Sequence, residues 1–372
     1  MTRFARWATL AAVAAAPIAS FAQTNVSMYG VADAGVVYAD PRAPGYGGAL
    51  RVDTSIMSTS RWGIRGTEDL GGGLSAYFNA EANWGLDDGT GDPAAGNGLT
   101  FARRSIVGLQ GRFGQIFLGR EYTPAFYAGY ANDLFAYGMN GTTLVWNVQG
   151  VLPIRYSNAI FYNTPNWGGV QIRFAYGKAA FTGTEYYTSS RKRDNNGDVA
   201  VLYNRGAIQA NAYYRFGYQN VAETDAARFS PPKVRQYGAG FGYKFGIVRM
   251  VTSVAISDPD NLGTANDKVL AWNLGVGVRA GPGEVLVQGH QVRYKNELTG
   301  EKPRADTLGI AYTYPLSKRT TLYASWAMTR NKHGANQQVR NNTVAYGGSS
   351  LGGTAGVDTS PRVLALGIQH LF

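Results

Sequence analysis

The chain ends with the alternating segment Val363-Leu364-Ala365-Leu366-Gly367-Ile368-Gln369-His370-Leu371-Phe372. In a β-strand, successive side chains point to opposite faces, so one face of this segment carries Leu364, Leu366, Ile368 and Phe372. The other face carries Ala365, Gly367 and Gln369, which are too small and too polar to form a second core. Such a strand suits the closure of a barrel whose outside contacts lipid, and the alternative is the last strand of a soluble sandwich.

The N-terminus has the three parts of a cleaved export signal. Two arginines within the first six residues precede an apolar run from Trp7 to Ile18, and Ser20-Phe21-Ala22 has the small-x-small pattern of a cleavage site. The apolar run is too short for a spanning helix, which needs roughly 20 residues. We therefore predict a signal peptide at residues 1–22 and one barrel domain at residues 23–372.

The composition fits an exported membrane barrel. The chain has 49 glycines, 24 tyrosines and no cysteine, so its stability does not depend on disulfides. No long apolar run follows the export signal, although aromatic residues are plentiful, and this combination is typical of transmembrane β-barrels. The formal net charge of +11 favours an anionic surface or an anionic solute as partner, and export argues against nucleic acid.

Segments of about ten alternating residues, each with an apolar and a polar face, recur along the mature chain. Examples are Leu74–Trp84, Val170–Tyr176, Ile208–Phe216 and Leu270–Arg279. Seven short turns rich in Gly, Pro and Asn and eight longer polar loops separate the segments, which predicts sixteen strands. An even strand number with short turns on one rim is typical of outer-membrane barrels, and sixteen strands leave room for an aqueous channel.

Several strings, in order along the chain, resemble a known family. They are Ser60-Arg61-Trp62-Gly63-Ile64-Arg65-Gly66-Thr67-Glu68-Asp69-Leu70-Gly71-Gly72-Gly73-Leu74, Arg103 with Val107-Gly108-Leu109, Leu118-Gly119-Arg120-Glu121-Tyr122-Thr123-Pro124, Arg155-Tyr156-Ser157-Asn158, Tyr314-Pro315-Leu316-Ser317-Lys318-Arg319-Thr320 and Gly367-Ile368-Gln369-His370-Leu371-Phe372. On these strings the chain resembles the trimeric general porins of Gram-negative outer membranes, in particular the β-proteobacterial, neisserial-type branch. It departs from the family at Ala159, where Ser is expected after Asn158.

The resemblance implies an all-β fold, a 16-stranded antiparallel transmembrane β-barrel in the outer membrane. It also implies a homotrimer and a third extracellular loop, about residues 123–153, that folds into the lumen as a constriction. Outer-membrane lipid and lipopolysaccharide are then expected partners, and the terminal strand is the expected signal for the barrel-insertion machinery. The basic triplet Arg191-Lys192-Arg193, in a predicted outer loop, suits either a solvated patch or a patch facing lipopolysaccharide phosphates. Apolar strands with small residues near the two termini are the expected subunit interface.

Arg61, Arg103 and Arg155 lie at the family positions whose side chains line the constriction. Guanidinium groups remain charged, and rings of Arg or Lys are what anion-passing pores use. Glu81 is placed by alternation to pair with one of these arginines. Asp133, the only acidic residue of the constriction loop after Glu121, is expected to supply an opposing charge across the pore.

Alternation extends the positive pore lining to five more arginines, namely Arg65, Arg173, Arg215, Arg249 and Arg279. Arg103 and Arg104 are adjacent, so only one of them is expected to face the lumen. The spacing to Val107-Gly108-Leu109 selects Arg103.

The function we predict is a pore for passive diffusion of small hydrophilic solutes and ions, with a preference for anions. A solute-specific channel for small anionic metabolites is the closest alternative. An outer-membrane enzyme would need a Ser/His or Asp/His constellation, but the three histidines, His290, His333 and His370, show no ligand spacing and Cys is absent, so we expect no metal and no cofactor. A structural or adhesive barrel would be expected to fill its interior with bulky side chains, whereas small residues and Arg dominate the inward faces.

Overall fold

The computed structural model describes residues 25–91, 98–141, 152–178, 195–218, 233–259, 268–295, 300–340, 345–348 and 356–372. Two features predicted from the sequence lie outside these ranges: the export signal at residues 1–22 and the basic triplet Arg191-Lys192-Arg193.

The described residues form β-strands and one α-helix. The strands are β1 (Asn25–Asp40), β2 (Ala49–Thr54), β3 (Arg61–Gly71), β4 (Leu74–Asn83), β5 (Arg104–Gly111), β6 (Gly114–Tyr122), β7 (Arg155–Asn163), β8 (Val170–Lys178), β9 (Asn195–Arg205), β10 (Ile208–Tyr218), β11 (Lys233–Phe245), β12 (Val248–Pro259), β13 (Lys268–Ala280), β14 (Gly283–Lys295), β15 (Arg304–Pro315), β16 (Thr320–Lys332), β17 (Val339–Arg340), β18 (Ala345–Tyr346) and β19 (Arg362–Leu371). The helix α1 spans Pro124–Ala131. Within the described ranges, no helix is long and apolar enough to cross a membrane.

The strands close into one antiparallel barrel. From β3 to β16 each strand pairs with its neighbours in sequence, β16 pairs with β19, and β19 pairs with β1. Both β2 and β3 pair with β1, through Ala34–Ala39 and Asn25–Val31 respectively, so they are two parts of one interrupted wall strand. The wall therefore has the sixteen strands that the turn pattern predicts. β17 and β18 form a separate hairpin.

The terminal strand closes the barrel as its alternation predicts. β19 runs alongside β1 from Val31 opposite Leu371 to Asp40 opposite Arg362. The backbone pairing continues to the last residue, because the Gly30 amide donates a hydrogen bond to the Phe372 carbonyl at 3.0 Å. Closure removes the free edges that a sheet would otherwise present, so the strands of the wall find their hydrogen-bonding partners within the barrel.

The two faces of the wall differ in polarity. Large apolar side chains are exposed on the outer face, among them Leu118, Ile160, Phe174, Trp272, Leu274, Leu364, Leu366 and Ile368. Polar side chains alternate with them on the other face, and many are buried, including Ser253, Asn273, Gln288, Thr307, Ser325 and Thr329. An apolar exterior with a polar interior is the arrangement of a barrel in lipid, so the alternative of a soluble sandwich for the terminal strand is wrong.

α1 and the residues after it pack against the polar face of the wall. The helix contacts β8 to β11, and Ala125 and Ala128 join a buried cluster with wall residues such as Ala200. Beyond the helix, the Leu134 amide donates to Gln288 Oε1 of β14 at 2.7 Å. Asn140 Nδ2 lies 3.4 Å from Ser325 Oγ of β16. The segment 124–141 is therefore attached to several strands of the wall by apolar contacts and hydrogen bonds.

Candidate functional site

Arginines from three parts of the wall meet on one glutamate and one tyrosine. Arg61 begins β3, Arg103 precedes β5, and Arg155 begins β7. Arg103 Nε donates to Glu81 Oε1 at 2.7 Å, and Arg61 Nε lies 3.5 Å from Glu81 Oε2. The Tyr122 hydroxyl accepts hydrogen bonds from Arg103 Nη2 at 2.9 Å and from Arg155 Nη2. The structure thus brings together four of the residues predicted for the constriction, and we call these four with Tyr122 the arginine cluster.

A break in the wall strand orients Arg61. Residues 55–60 separate β2 from β3, and Asp33 of β1 holds them: its Oδ1 accepts from the Ile56 amide at 2.8 Å and its Oδ2 from the Ser58 amide at 3.1 Å. Arg61 Nη1 donates to Ser58 Oγ at 3.1 Å and to the Thr59 carbonyl at 2.9 Å. A guanidinium fixed by two acceptors at one edge keeps a defined direction, so the break sets the position of a charge.

Arg104 also faces the interior, which corrects the prediction that only one of the adjacent arginines would do so. Arg104 Nε pairs with Glu121 Oε2, and its Nη2 donates to the Tyr127 hydroxyl at 2.9 Å. Strict alternation does not apply to this pair because Arg103 precedes the first residue of β5, where its amide donates to the Glu81 carbonyl at 3.2 Å. Arg104 is paired opposite Glu81 and so shares its polar face, and the conformation ahead of the strand directs Arg103 to the same side.

Tyr127 links helix α1 to this second ion pair. Its hydroxyl donates to Glu121 Oε1 at 3.0 Å while it accepts from Arg104. Burial, followed by the nearby Glu121 carboxylate, raises the pKa of the Tyr127 phenol well above its usual value. The phenol therefore stays protonated and keeps its hydrogen-bond donor.

Asp133 lies across the barrel from the arginines. Its Oδ1 accepts hydrogen bonds from Gln288 Nε2 at 2.9 Å and from the Phe135 amide at 2.7 Å. Gln288 belongs to β14, which is far around the wall from β3 to β7 in the order of paired strands. The segment after α1 thus places a buried carboxylate against β14, and its role opposite the arginines stays a prediction.

The five arginines predicted as further lining have different environments. Arg65 and Arg173 border the interior cavities. Arg249 and Arg279 lie next to the short turns at one rim, and Arg249 makes a two-point ion pair with Glu284 at 2.7 and 2.9 Å.

Arg215 is a correction, because it is fully buried and does not line open space. Its Nη2 donates to the Pro153 carbonyl at 2.6 Å, and its Nε lies 3.8 Å from Asp198 Oδ2. Asp198 in turn accepts from the Ala125 amide at the start of α1, at 3.1 and 3.2 Å. Alternation placed Arg215 on the polar face, but packing of the segment around Pro153 against that face covers the side chain.

Two adjoining cavities lie beside the arginine cluster. One, of about 380 Å³, is bordered by Arg61, Arg65, Glu81, Arg103, Arg104 and Tyr130. The other, of about 320 Å³, is bordered by Arg65, Arg104, Glu121, Tyr127 and Arg173. Five arginines and two glutamates therefore border the pair of cavities. Both cavities are bordered by Arg65, Asn79, Arg104, Tyr122 and Tyr127, and we call the two cavities together the path.

Sequence reasoning missed the aromatic residues of this path. Phe126 and Tyr130 are spaced by four within α1, which places them on one side of the helix, and Tyr122 ends the preceding strand β6. Their rings border the larger cavity. The spacing was visible in the sequence, but only the position of α1 shows which way this side faces.

The sequence comparisons agree with this architecture. A sequence model described as Gram-negative porin matches residues 8–334. The chain belongs to the Gram-negative porin family. The porin is 33% identical over 374 residues to outer membrane porin protein 32 of Delftia acidovorans, with 97% of this chain and 98% of the relative covered. It is 29% identical to an outer membrane porin protein of Bordetella pertussis, with 86% of this chain and 94% of the relative covered.

Among solved structures, the porin resembles the anion-selective porin from Comamonas acidovorans with a TM-score of 0.77 and 28% identity, over 94% of this chain and 100% of that one. OmpT of Vibrio cholerae shares the fold alone, with a TM-score of 0.65 at 13% identity over 94% and 98% of the two chains. Family and fold are those of a passive channel of the outer membrane and not of an enzyme.

Proposed function

We propose that this porin is a diffusion pore for small hydrophilic solutes and ions that prefers anions. The observation that carries the proposal is the convergence of Arg61, Arg103 and Arg155 beside a path bordered by five arginines and two glutamates. Rings of Arg or Lys are the means by which pores select anions. The solved structure of an anion-selective porin with the same fold supports the proposal.

The excess of positive charge along the path gives the physical reason for a preference for anions. Glu81 and Glu121 each neutralise about one unit of the positive charge, and the remaining arginines leave an excess along the path. Two unit charges 4 Å apart interact by about 1 kcal/mol in water and about 4 kcal/mol where the effective dielectric constant is about 20. In a narrow aqueous gap, the attraction between an anion and one arginine lies between these two energies. Such an attraction is strong enough to select anions and weak enough to let them leave.

We propose further that the segment 124–141 narrows the pore beside the arginine cluster. Its attachment to the wall through Asp198, Gln288 and Ser325 keeps α1 at the level of Tyr122. Asp133, on the opposite wall, then faces the arginines and makes a transverse field. We also propose that the functional unit is a homotrimer, as in the family it resembles, which migration on gels before and after heating would test.

The deciding experiment is single-channel recording of the purified porin in a planar bilayer under a KCl gradient. We expect a reversal potential of the sign that shows preference for Cl⁻. A potential of the opposite sign would contradict anion preference, and the absence of conductance would contradict the pore itself.

The arginine cluster is tested by neutralising one member at a time. Arg155→Gln and Arg61→Gln should each lower the Cl⁻/K⁺ permeability ratio by roughly two- to fivefold, because each removes one charge next to the path. Arg319→Gln is the matched control, since Arg319 lies exposed in a short turn between β15 and β16. Equal ratios in all three variants would remove the cluster from the selectivity filter.

A further inference from the structure

Helix α1 has two sides of different chemistry. Pro124, Ala125, Ala128 and Gly129 are buried, and Ala125 and Ala128 pack against the wall. The large rings stand on the other side, and Tyr130 is 45% exposed although it borders an interior cavity. Small residues therefore do the packing, and the rings remain at the surface of the path.

The rings form a continuous column along the larger cavity. Tyr122 and Phe126 stack with centroids 3.9 Å apart and planes at 17°. Phe126 and Tyr130 follow at 6.2 Å and 25°. The buried ring of Tyr137 packs edge-on against Phe126, with the two ring centroids 5.3 Å apart.

The same cavity carries arginines next to this column. Arg61, Arg65, Arg103 and Arg104 border it together with Phe126 and Tyr130. The Arg155 guanidinium lies over the Tyr122 ring at 4.0 Å from the centroid, so the ring column begins at the arginine cluster itself. The path therefore offers charge and a flat apolar surface side by side.

We infer that this juxtaposition is a binding subsite for organic anions that carry an aromatic ring, such as aryl carboxylates. The carboxylate is bound by the arginines of the cavity, and the ring lies against Phe126 and Tyr130. The inference rests on the proposed anion preference and specifies its solutes.

Ring electrostatics distinguish these solutes from inorganic anions. The face of an aromatic ring carries negative potential, so the column gives chloride no attraction. A flat solute ring gains from offset or edge contacts with the column, by an amount that corresponds to about a 2- to 12-fold change in binding. Guanidinium planes also stack on aromatic rings, which adds to the attraction for an aryl carboxylate and not for a polar one.

The test compares benzoate with gluconate, an organic anion without an apolar ring, in the full-length porin. Reversal potentials with chloride on one side and each organic anion on the other give the permeability ratios, and the dwell time of current blocks gives binding. We expect benzoate to block longer and to permeate better than gluconate by more than their free mobilities predict. Tyr130→Ala and Tyr130→Leu should reduce this advantage by about threefold, and Tyr130→Phe should retain it.

Two controls distinguish a failure of the aromatic subsite from a failure of the proposed anion preference. Tyr46→Ala removes an exposed tyrosine from the loop after β1, outside both cavities, and should leave the benzoate advantage unchanged. The Cl⁻/K⁺ ratio is measured for every Tyr130 variant, and the benzoate advantage is compared with that ratio, so that a loss of ring binding is distinguished from a general loss of anion preference. Equal behaviour of benzoate and gluconate in the native porin, or an advantage that survives both Tyr130→Ala and Phe126→Ala, would overturn the subsite. Cation preference in KCl would instead overturn the proposed function.

Discussion

Two sides of the barrel interior carry different kinds of polar side chain. On the side of β3 to β7, arginines border the interior cavities and share Glu81, Glu121 and Tyr122 as partners. On the side of β12 to β16, α1 and the segment after it cover the wall, and there the wall uses amides and hydroxyls such as Gln288 and Ser325. A buried charge is costly unless it is paired, whereas a neutral group needs only one hydrogen bond. On these two sides, the charged groups lie beside the cavities and neutral groups lie under the covering segment.

A buried ion pair departs from this division and predicts the largest effect. Asp198 and Arg215 are a buried pair beneath α1, and Asp198 also accepts from the Ala125 amide. Removing one partner of a buried pair leaves an uncompensated charge, so Asp198→Ala should lower the free energy of unfolding by about 3–5 kcal/mol. Loss of the anchor should also release the start of α1 and raise the single-channel conductance and its noise.

The matched control for this variant is an exposed pair in the same barrel. Asp40 pairs with Arg362 at 2.9 Å at the surface, and exposed pairs contribute about 0–1 kcal/mol. Urea unfolding in detergent micelles should therefore separate Asp198→Ala clearly from Asp40→Ala. Similar stability of the two variants would mean that burial does not distinguish the two pairs.

The second prediction concerns the charged side. Glu81→Gln removes the carboxylate shared by Arg61 and Arg103, so the positive excess beside the path increases by one unit. The Cl⁻/K⁺ permeability ratio should rise by roughly two- to fivefold. Reversal potentials in KCl measure it, with Glu68→Gln, at the far end of β3, as the control. A fall of the ratio would show that Glu81 acts mainly by holding the arginines in place.

The contrast between the sides also explains what the sequence could predict. Strand alternation and turn residues predict the sixteen wall strands and the closure at Phe372, because both depend on periodicity within short segments. Arg61, Arg103 and Arg155, which the family resemblance assigned to the constriction, lie close together in the structure, and their role in the pore stays a prediction.

Alternation fails where local conformation or tertiary packing decides. Arg104 lies opposite Glu81 on the polar face of β5, Arg103 joins it there because it precedes the regular part of the strand, and Arg215 is covered because a distant segment packs on it. Periodicity indicates the face of a strand on which a residue lies. It contains no information on what later covers that face.

The smallest effect is expected at the rim, where the comparison predicts that charge matters least. Arg249 is paired at two points with Glu284 and lies beside a short turn, away from the arginine cluster. The pair is partly exposed, so Arg249→Gln should change the free energy of unfolding by no more than about 1 kcal/mol. Because a wide aqueous rim screens a single charge within about 10 Å at moderate salt, the Cl⁻/K⁺ ratio should change less than in Arg155→Gln. A change as large as that of Arg155→Gln in the same KCl gradient would mean that selectivity is distributed along the pore and not concentrated at the cluster.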